Sequence, residues 1–278
     1  MKNLYKLLLI LILITLHSCA KDKKEVFEIK EVNQELEMIS TYNEAVDYMN
    51  EGDSFYAAKK FLEAELLFPL SDWAPKSALM ASYAYYSQNY YDEAKFNLER
   101  FIKTYPKDKR LAYAHFLLAM CHYETILDEK KDLAPLLIGK EKFEFVILNY
   151  PNTDFALDSK YKIDLINDIL ASKEMYIGKH YIKKEKWIPA INRFKNVINN
   201  YDTTIYAEEA IHRLVEIHYR IGLIEESKKY ASLLGYNYLS SEWYKKSYKI
   251  FNKDYKIMKI KRDKKEKKKI LKKLKNLF

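Results

Sequence analysis

Apolar positions in this chain recur at helical spacing and break off on an aromatic residue followed by a helix stopper: Phe68-Pro69, Tyr105-Pro106, Tyr150-Pro151 and Tyr201-Asp202. Proline lacks an amide hydrogen and pushes the residue before it out of the helical region, so such pairs read as helix ends. Twelve residues before each stopper stands a small residue, Ala57, Ala94, Gly139 or Ala190, and four residues further on a bulky one, Phe61, Leu98, Phe143 or Phe194. Positions i and i+4 share a helix face, so a neighbouring helix approaches closely at one level and interlocks at the next. Upstream lies another apolar-periodic stretch, as in Ala78, Ala81, Tyr85 and Tyr86 before the Gln88-Asn89 turn, or Ala112, Phe116, Ala119 and Tyr123. The unit is helix, turn, helix, repeated.

A fifth, weaker copy passes through Ala207, Leu214, Ile217 and Gly222, then Ser227, Leu234 and Tyr238, with Ala231 where the bulky residue stands elsewhere. These pairs resemble tetratricopeptide repeats, and Gly52-Asp53 and Tyr56 fall near that motif's glycine and tyrosine. Stopper spacings of 37, 45 and 51 residues exceed the usual ~34. The extra length is expected in a loop over 128–135 and in one long helix over about 154–184, which at ~1.5 Å per residue reaches roughly 45 Å. The expectation is an all-α superhelix of about five tetratricopeptide-like helix pairs with a long central helix. Repeats fill 41–151, and the long helix with the remaining repeats fills 152–252. A generic helical bundle is the competing reading, disfavoured by the aligned positions. Stacked pairs line a groove, so binding is the expected function.

The N-terminus is different in kind. Lys2 and Lys6 precede an apolar run over 7–16, the length of a signal-peptide core and short of the ~20 residues a bilayer span needs. Leu16-His17-Ser18-Cys19-Ala20 then resembles a lipobox, with His17 an unusual residue there. Residues 1–18 are thus expected to be a lipoprotein signal, Cys19 the lipidated residue and 19–40 a tether. An ordinary secretory signal with an incidental cysteine is the alternative. Acyl chains contribute about 0.8 kcal/mol per buried methylene, so two or more hold a protein on a membrane. In bacterial lipoproteins an aspartate after the lipidated cysteine favours inner-membrane retention; Ala20 stands here, implying the periplasmic face of the outer membrane.

Composition narrows the rest. Five glycines and six prolines in 278 residues are too few turn residues for an all-β fold, and 25 tyrosines supply rings that fill inter-helix grooves while their hydroxyls stay wet. With Cys19 lipidated, Cys121 has no partner for an intramolecular disulfide. The formal charge of +9 is not spread evenly: residues 253–278 carry 13 Lys or Arg against three acids, a net of +10, leaving −1 for everything before them. Ile257, Ile260, Ile270, Leu271, Leu274 and Leu277 intersperse those lysines, and 270, 274, 277 and 278 follow a helical stripe. Such a tail reads either as disordered and solubilising or as a basic amphipathic helix for anionic lipid or an acidic partner. Nucleic acid is not expected as a partner of an exported chain.

Catalytic chemistry finds no foothold. His115 and His122 beside Cys121, and His212 with His218, form neither HExxH nor a CxxC-type cluster, and packing is the expected role of each. No phosphate loop or GxSxG elbow occurs. The chain is expected to be no enzyme, with no catalytic residue, metal or cofactor; an enzyme with an unfamiliar site is the remaining class.

Several stretches, in order, resemble the BamD family, the lipoprotein component of the outer membrane protein assembly machine: Tyr42-Asn43-Glu44-Ala45, Phe101-Ile102-Lys103-Thr104-Tyr105-Pro106, Lys142-Phe143-Glu144-Phe145-Val146 with Tyr150-Pro151-Asn152, Ala190-Ile191-Asn192-Arg193-Phe194, and Gly235-Tyr236-Asn237 on to Trp243. The resemblance covers about residues 41–252. It implies five tetratricopeptide-like repeats, the N-terminal ones offering a groove to unfolded outer membrane protein precursors and the C-terminal ones docking on the periplasmic POTRA region of BamA, beside other assembly-complex lipoproteins. It implies partner contacts at Phe68 and Arg193, although Phe68 lacks the hydroxyl of the tyrosine often found there. Read as residues alone, Phe68 is equally a core ring under a turn, and Arg193 a solvated charge or an intramolecular pair. The alternative function is a periplasmic tetratricopeptide adaptor that coordinates cell-wall or division enzymes.

Overall fold

The structure is a computed structural model that describes residues 25–125, 133–239 and 241–252. Cys19 with its leader, most of the 128–135 loop and the tail 253–278 lie outside the described residues. Those described form eleven α-helices and no strand. The helices are α1 (Glu25–Glu51), α2 (Ser54–Leu67), α3 (Trp73–Ser87), α4 (Tyr91–Thr104), α5 (Leu111–Glu124), α6 (Ala134–Asn149), α7 (Asp154–Lys183), α8 (Trp187–Asn200), α9 (Ala207–Arg220), α10 (Ile224–Asn237) and α11 (Glu242–Phe251). The chain divides into two compact units, the first ending at Ser159 and the second starting at Lys160, with Ile126–Ala134 grouped in the second. The long helix is the expected one, 30 residues beginning at Asp154. Pro135 sits in the first turn of α6, where its missing N–H leaves no helical bond unmade.

Two kinds of turn build the pairs. Within a pair the first helix ends on a left-handed residue: Gly52 (φ 89°), Asn89 (φ 63°), Glu185 (φ 57°) and Gly222 (φ 85°). The residue after each donates its N–H to a carbonyl five positions back: Asp53 to Tyr48 (2.9 Å), Tyr90 to Tyr85 (3.0 Å), Lys186 to Tyr181 (2.9 Å) and Leu223 to His218 (2.9 Å). This closure satisfies the loose carbonyls of the helix end. Between pairs, the aromatic that ends the second helix presents its carbonyl to the N–H three residues on: Phe68 to Ser71, Tyr105 to Asp108, Tyr150 to Thr153, Tyr201 to Thr204 and Tyr238 to Ser241, all at 3.0–3.2 Å. The hydroxyls of Ser71, Thr153 and Thr204 donate to the same carbonyl at 2.7–2.8 Å. Ser71, Thr153 and Ser241 then accept from an amide of the following helix, and at Ser71 and Thr153 one side chain thus closes one element and caps the next.

Packing follows the small and bulky positions. Ala57, Phe61, Ala94, Leu98, Phe143, Ala190 and Phe194 are fully buried. A Cβ on Gly139 would stand 3.4 Å from the Ala119 carbonyl oxygen, ordinary contact that leaves no room for anything larger. Met38, Tyr42 and Ala45, spaced i, i+4, i+7 on α1, join the core of the first unit. The helix α1 therefore starts inside the stretch 19–40 expected as a tether, because Met38 has apolar partners to bury against. In the second unit Met175, Val197, Leu214 and Ile217 surround Phe194, whose ring fills the space a Cβ on Gly178 would take, 2.7 Å away.

One polar joint locks neighbouring pairs in the first unit. Arg100 on α4 donates two hydrogen bonds to the Glu65 carboxylate on α2, at 2.7 and 2.6 Å, and the Tyr105 hydroxyl adds a third at 2.7 Å. Glu65 is buried, so its charge is tolerated only because all three donors converge on it. Burial and the Glu65 hydrogen bond push the Tyr105 hydroxyl far above the ordinary tyrosine value.

Replacing Glu65 with Ala leaves Arg100 facing a void, although it still reaches solvent. The expected cost is roughly 2–3 kcal/mol, read as a lower urea midpoint followed by helical circular dichroism. Glu185→Gly relieves a side chain held at positive φ and is expected to raise the thermal midpoint, by about 0.5–1 kcal/mol of stability.

Candidate functional site

A largely apolar groove of the first unit lies on the first helices of its pairs. Lys76, Leu79, Met80 and Tyr83 occupy one face of α3 at i, i+3, i+4, i+7 and form one wall. Lys109 and Arg110, just before α5, and Tyr113 on α5 form the other, and Phe155 of α7 also lines this open groove of about 510 Å³. A second depression of about 530 Å³ continues past Lys76, Lys109 and Arg110 to Asp72, Trp73, Pro75, Lys107 and Asp108. Four cations against two carboxylates give that end a positive field.

Two of these cations, Lys76 and Arg110, are positioned by neighbours. The Lys76 ammonium lies 4.4 Å from the Trp73 ring centre and 4.7 Å from that of Tyr42, and those rings meet edge to face at 5.1 Å. Arg110 donates to both Asp108 oxygens at 2.7 and 2.6 Å, which holds the Asp108 carboxyl below the usual range against the opposing effect of burial. Tyr113 packs on Phe155 with centroids 5.3 Å apart, and burial pushes its hydroxyl up to about 12, so the ring stays neutral. Apolar rings at one end and fixed cations at the other suit an extended polypeptide with aromatic side chains and a carboxylate.

Phe68 is half-buried against the core of the first unit, and its carbonyl anchors the Ser71 turn. It does not line the groove; the exposed apolar residues beside it are Leu66 and Leu70. Arg193 belongs to the second unit and lies on α8, where its guanidinium donates to both oxygens of Glu174 on α7 at 3.0 and 3.2 Å. The side chain remains 40% exposed and edges an open depression with Tyr181, Ile188, Asn192 and Asn196. It is therefore an intramolecular pair that still offers a charged edge to solvent. No residue of the groove was singled out by sequence; the α3 face spacing was the available trace.

The histidines pack. His115 stacks on Phe145 at 4.6 Å, and burial with Lys142 lowers its pKa; burial with Lys95 and Lys142 lowers that of His122 to about 4. His218 Nδ1 donates to the Leu214 carbonyl at 2.7 Å. His212 Nδ1 lies 2.8 Å from the Ser247 hydroxyl, and Nε2 lies 3.4 Å from Glu216, tying α11 to α9. Among the described residues no three His, Cys, Asp or Glu side chains converge as a metal site would require, and no helix is long and apolar enough to cross a membrane. A chain of ion pairs runs from Lys179 through Glu209 and Arg213 to Glu216.

The sequence profile of the YfiO family, described as an outer membrane lipoprotein, matches residues 34–234. The chain is 41% identical to outer membrane protein assembly factor BamD of Rickettsia prowazekii over 222 residues, 80% of this chain and 88% of that one. It is 38% identical to outer membrane protein assembly factor BamD of Caulobacter vibrioides over 244 residues, 87% and 79% of the respective chains. Among solved structures it is similar to a tetratricopeptide repeat protein from Parabacteroides merdae, at 13% identity and a TM-score of 0.37, over 80% of this chain and 75% of that one.

Burial pushes the Glu216 carboxyl up, but the hydrogen bond and charge of His212, with Arg213, outweigh it and hold the group at about 2 against an ordinary 4.5. A depressed carboxylate contributes stability that is complete above the ordinary value and lost as pH falls through the folded one. Thermal stability is expected to fall as pH drops from about 4.5 to 2, with a smaller change in Glu216→Gln.

Proposed function

We propose a function from one premise: this chain belongs to the YfiO family of outer membrane lipoproteins. On that premise it is a non-enzymatic scaffold of outer membrane β-barrel assembly, held at the periplasmic face of the outer membrane by acyl chains on Cys19. Its first unit receives unfolded outer membrane protein precursors. Its second docks on the POTRA region of BamA, within a complex that includes other assembly lipoproteins.

The observation that carries this reading is the groove of Tyr83, Met80, Tyr113 and Phe155 with Lys76 and Arg110 at its end. An unfolded β-barrel strand alternates apolar, often aromatic, side chains with polar ones, so an apolar channel ending in fixed cations matches its chemistry. Lys76 and Arg110 are already ordered by Trp73 and Asp108, so a bound chain costs little further side-chain entropy there. Support for a docking role of the second unit is the exposed Arg193, because a guanidinium steadied on one side by Glu174 presents its remaining donors in a set direction. Phe68 supports the first unit from within: its ring packs the core, and Leu66 and Leu70 beside it form the outward apolar rim.

With a photo-crosslinking residue at position 83, irradiation in a native envelope is expected to capture unfolded β-barrel precursors, and Tyr83→Ser is expected to weaken precursor binding about tenfold. Recovery of cell-wall enzymes alone would overturn the reading. Arg193→Glu is expected to cut copurification of BamA at least tenfold while leaving the helical circular dichroism unchanged.

A further inference from the structure

The first unit carries opposite charge at its two edges. The turns within pairs, joined where the Ser87 hydroxyl donates to that of Ser54 at 3.1 Å, are flanked by Glu51, Asp53, Asp92 and Glu93, with Lys95 spent on Asp92 at 2.8 Å. At the opposite edge the turns between pairs bring Lys107, Lys109 and Arg110 beside Asp72, Trp73 and Lys76 around one depression. Arg110 is spent on Asp108, whereas Lys107, Lys109 and the nearby Lys103 are exposed and form no ion pair among the described residues. On the same edge Leu70, in the turn after α2, is 98% exposed, and Leu66 on the last turn of α2 is 76% exposed. An isolated exposed leucine is ordinary; two of them on a lysine-rich edge form a mixed surface that gains from an interface. The helix α1 enters the unit from this side, because it runs antiparallel to α2 and its Tyr42 ring meets that of Trp73 at 5.1 Å.

We propose that this basic edge of the first unit rests on the surface of anionic phospholipid, with Lys103, Lys107 and Lys109 at the headgroups and Leu66 and Leu70 dipping toward the acyl boundary. The long lysine stems let the ammonium groups stay among the phosphates while the leucines reach deeper. An acidic polypeptide or a free phosphate would answer the lysines but leave Leu70, at the tip of its turn, in water. Charge asymmetry selects the edge: the same surface that attracts the lysines repels Glu51, Asp53 and Glu93 at the other. Each lysine near such a surface strengthens binding roughly fivefold. Because Lys76 and Arg110 border the apolar groove, the contact turns the cationic end of that groove toward the bilayer. It needs neither acyl chains nor a bound precursor, so it stands or falls apart from both.

The test uses the chain from Ala20 onward, which keeps every described residue and carries no lipid. Cys121 is buried, and burial pushes its thiol up to about 12, so in Leu70→Cys an environment-sensitive fluorophore attaches at position 70. Lysines of 253–278 can bring the chain to anionic vesicles by themselves, so the label rather than sedimentation decides. With vesicles containing phosphatidylglycerol the label at 70 is expected to brighten and shift to the blue, and with vesicles of phosphatidylcholine to stay unchanged. The same label in Gln88→Cys, at the acidic edge, is expected to show no shift with either. Replacing Lys103, Lys107 and Lys109 with Gln is expected to reduce the response at 70 by roughly fivefold or more at a fixed vesicle concentration, with unchanged helical circular dichroism. Sedimentation without a shift at 70, an equal shift at 88, a shift with phosphatidylcholine, a full response in the lysine variant, or the same shift with soluble polyglutamate would each overturn the proposal.

Discussion

Close approach of helix backbones at one small residue per pair is the constraint on which the rest of this fold depends. Ala57, Ala94, Gly139 and Ala190 let a neighbouring helix come near enough for Phe61, Leu98, Phe143 and Phe194, one turn on, to be wholly buried. Where the approach is tightest the margin is a single hydrogen: the Phe194 ring occupies the space a Cβ on Gly178 would take, and Tyr244 does the same at Gly235. A neighbouring helix can turn only so far before these pairs cease to fit. That fixes which face of each helix is spent on its neighbours and which is left open.

The open faces carry the function. In the first unit the face of α3 that bears Lys76, Met80 and Tyr83 is only partly consumed by packing, and with Tyr113 and Phe155 it lines a groove. The polar joint of Glu65, Arg100 and Tyr105 does comparable work inside the wall. Its three donors on one carboxylate hold α2 and α4 in one register, which apolar contact alone would leave freer to slide. Ion pairs of the second unit cross from α7 to α9 in the same manner, through Lys179 and Glu209.

Much of the framework was legible in the sequence because it is encoded locally. The stoppers mark the ends of α2, α4, α6 and α8, the small and bulky positions mark buried faces, and the long helix appears where the spacing stretched. The recurring polar residue three positions after each aromatic, Ser71, Asp108, Thr153, Thr204 and Ser241, leaves no mark in the hydropathy pattern, since its meaning lies in a hydrogen bond. The groove was less accessible still. Lys76 and Arg110 stand 34 positions apart, and nothing in either neighbourhood states that they share a wall. Arg193 illustrates the same limit: its partner Glu174 sits 19 residues earlier, on the preceding helix, so the pair exists only once α7 and α8 are folded together.

The turns between pairs also set how motion spreads. Each helix of the first unit packs chiefly on those beside it in sequence, and each junction is sealed by its own side chain, such as Ser71 or Thr153. Such an array behaves as a one-dimensional series of coupled elements, in which an opening propagates only by crossing one interface after another. Fraying at an end then stays confined to the terminal pair. Amide hydrogens near Leu98 on α4 are then expected to exchange last, the inner helices keeping their order while the outermost breathe.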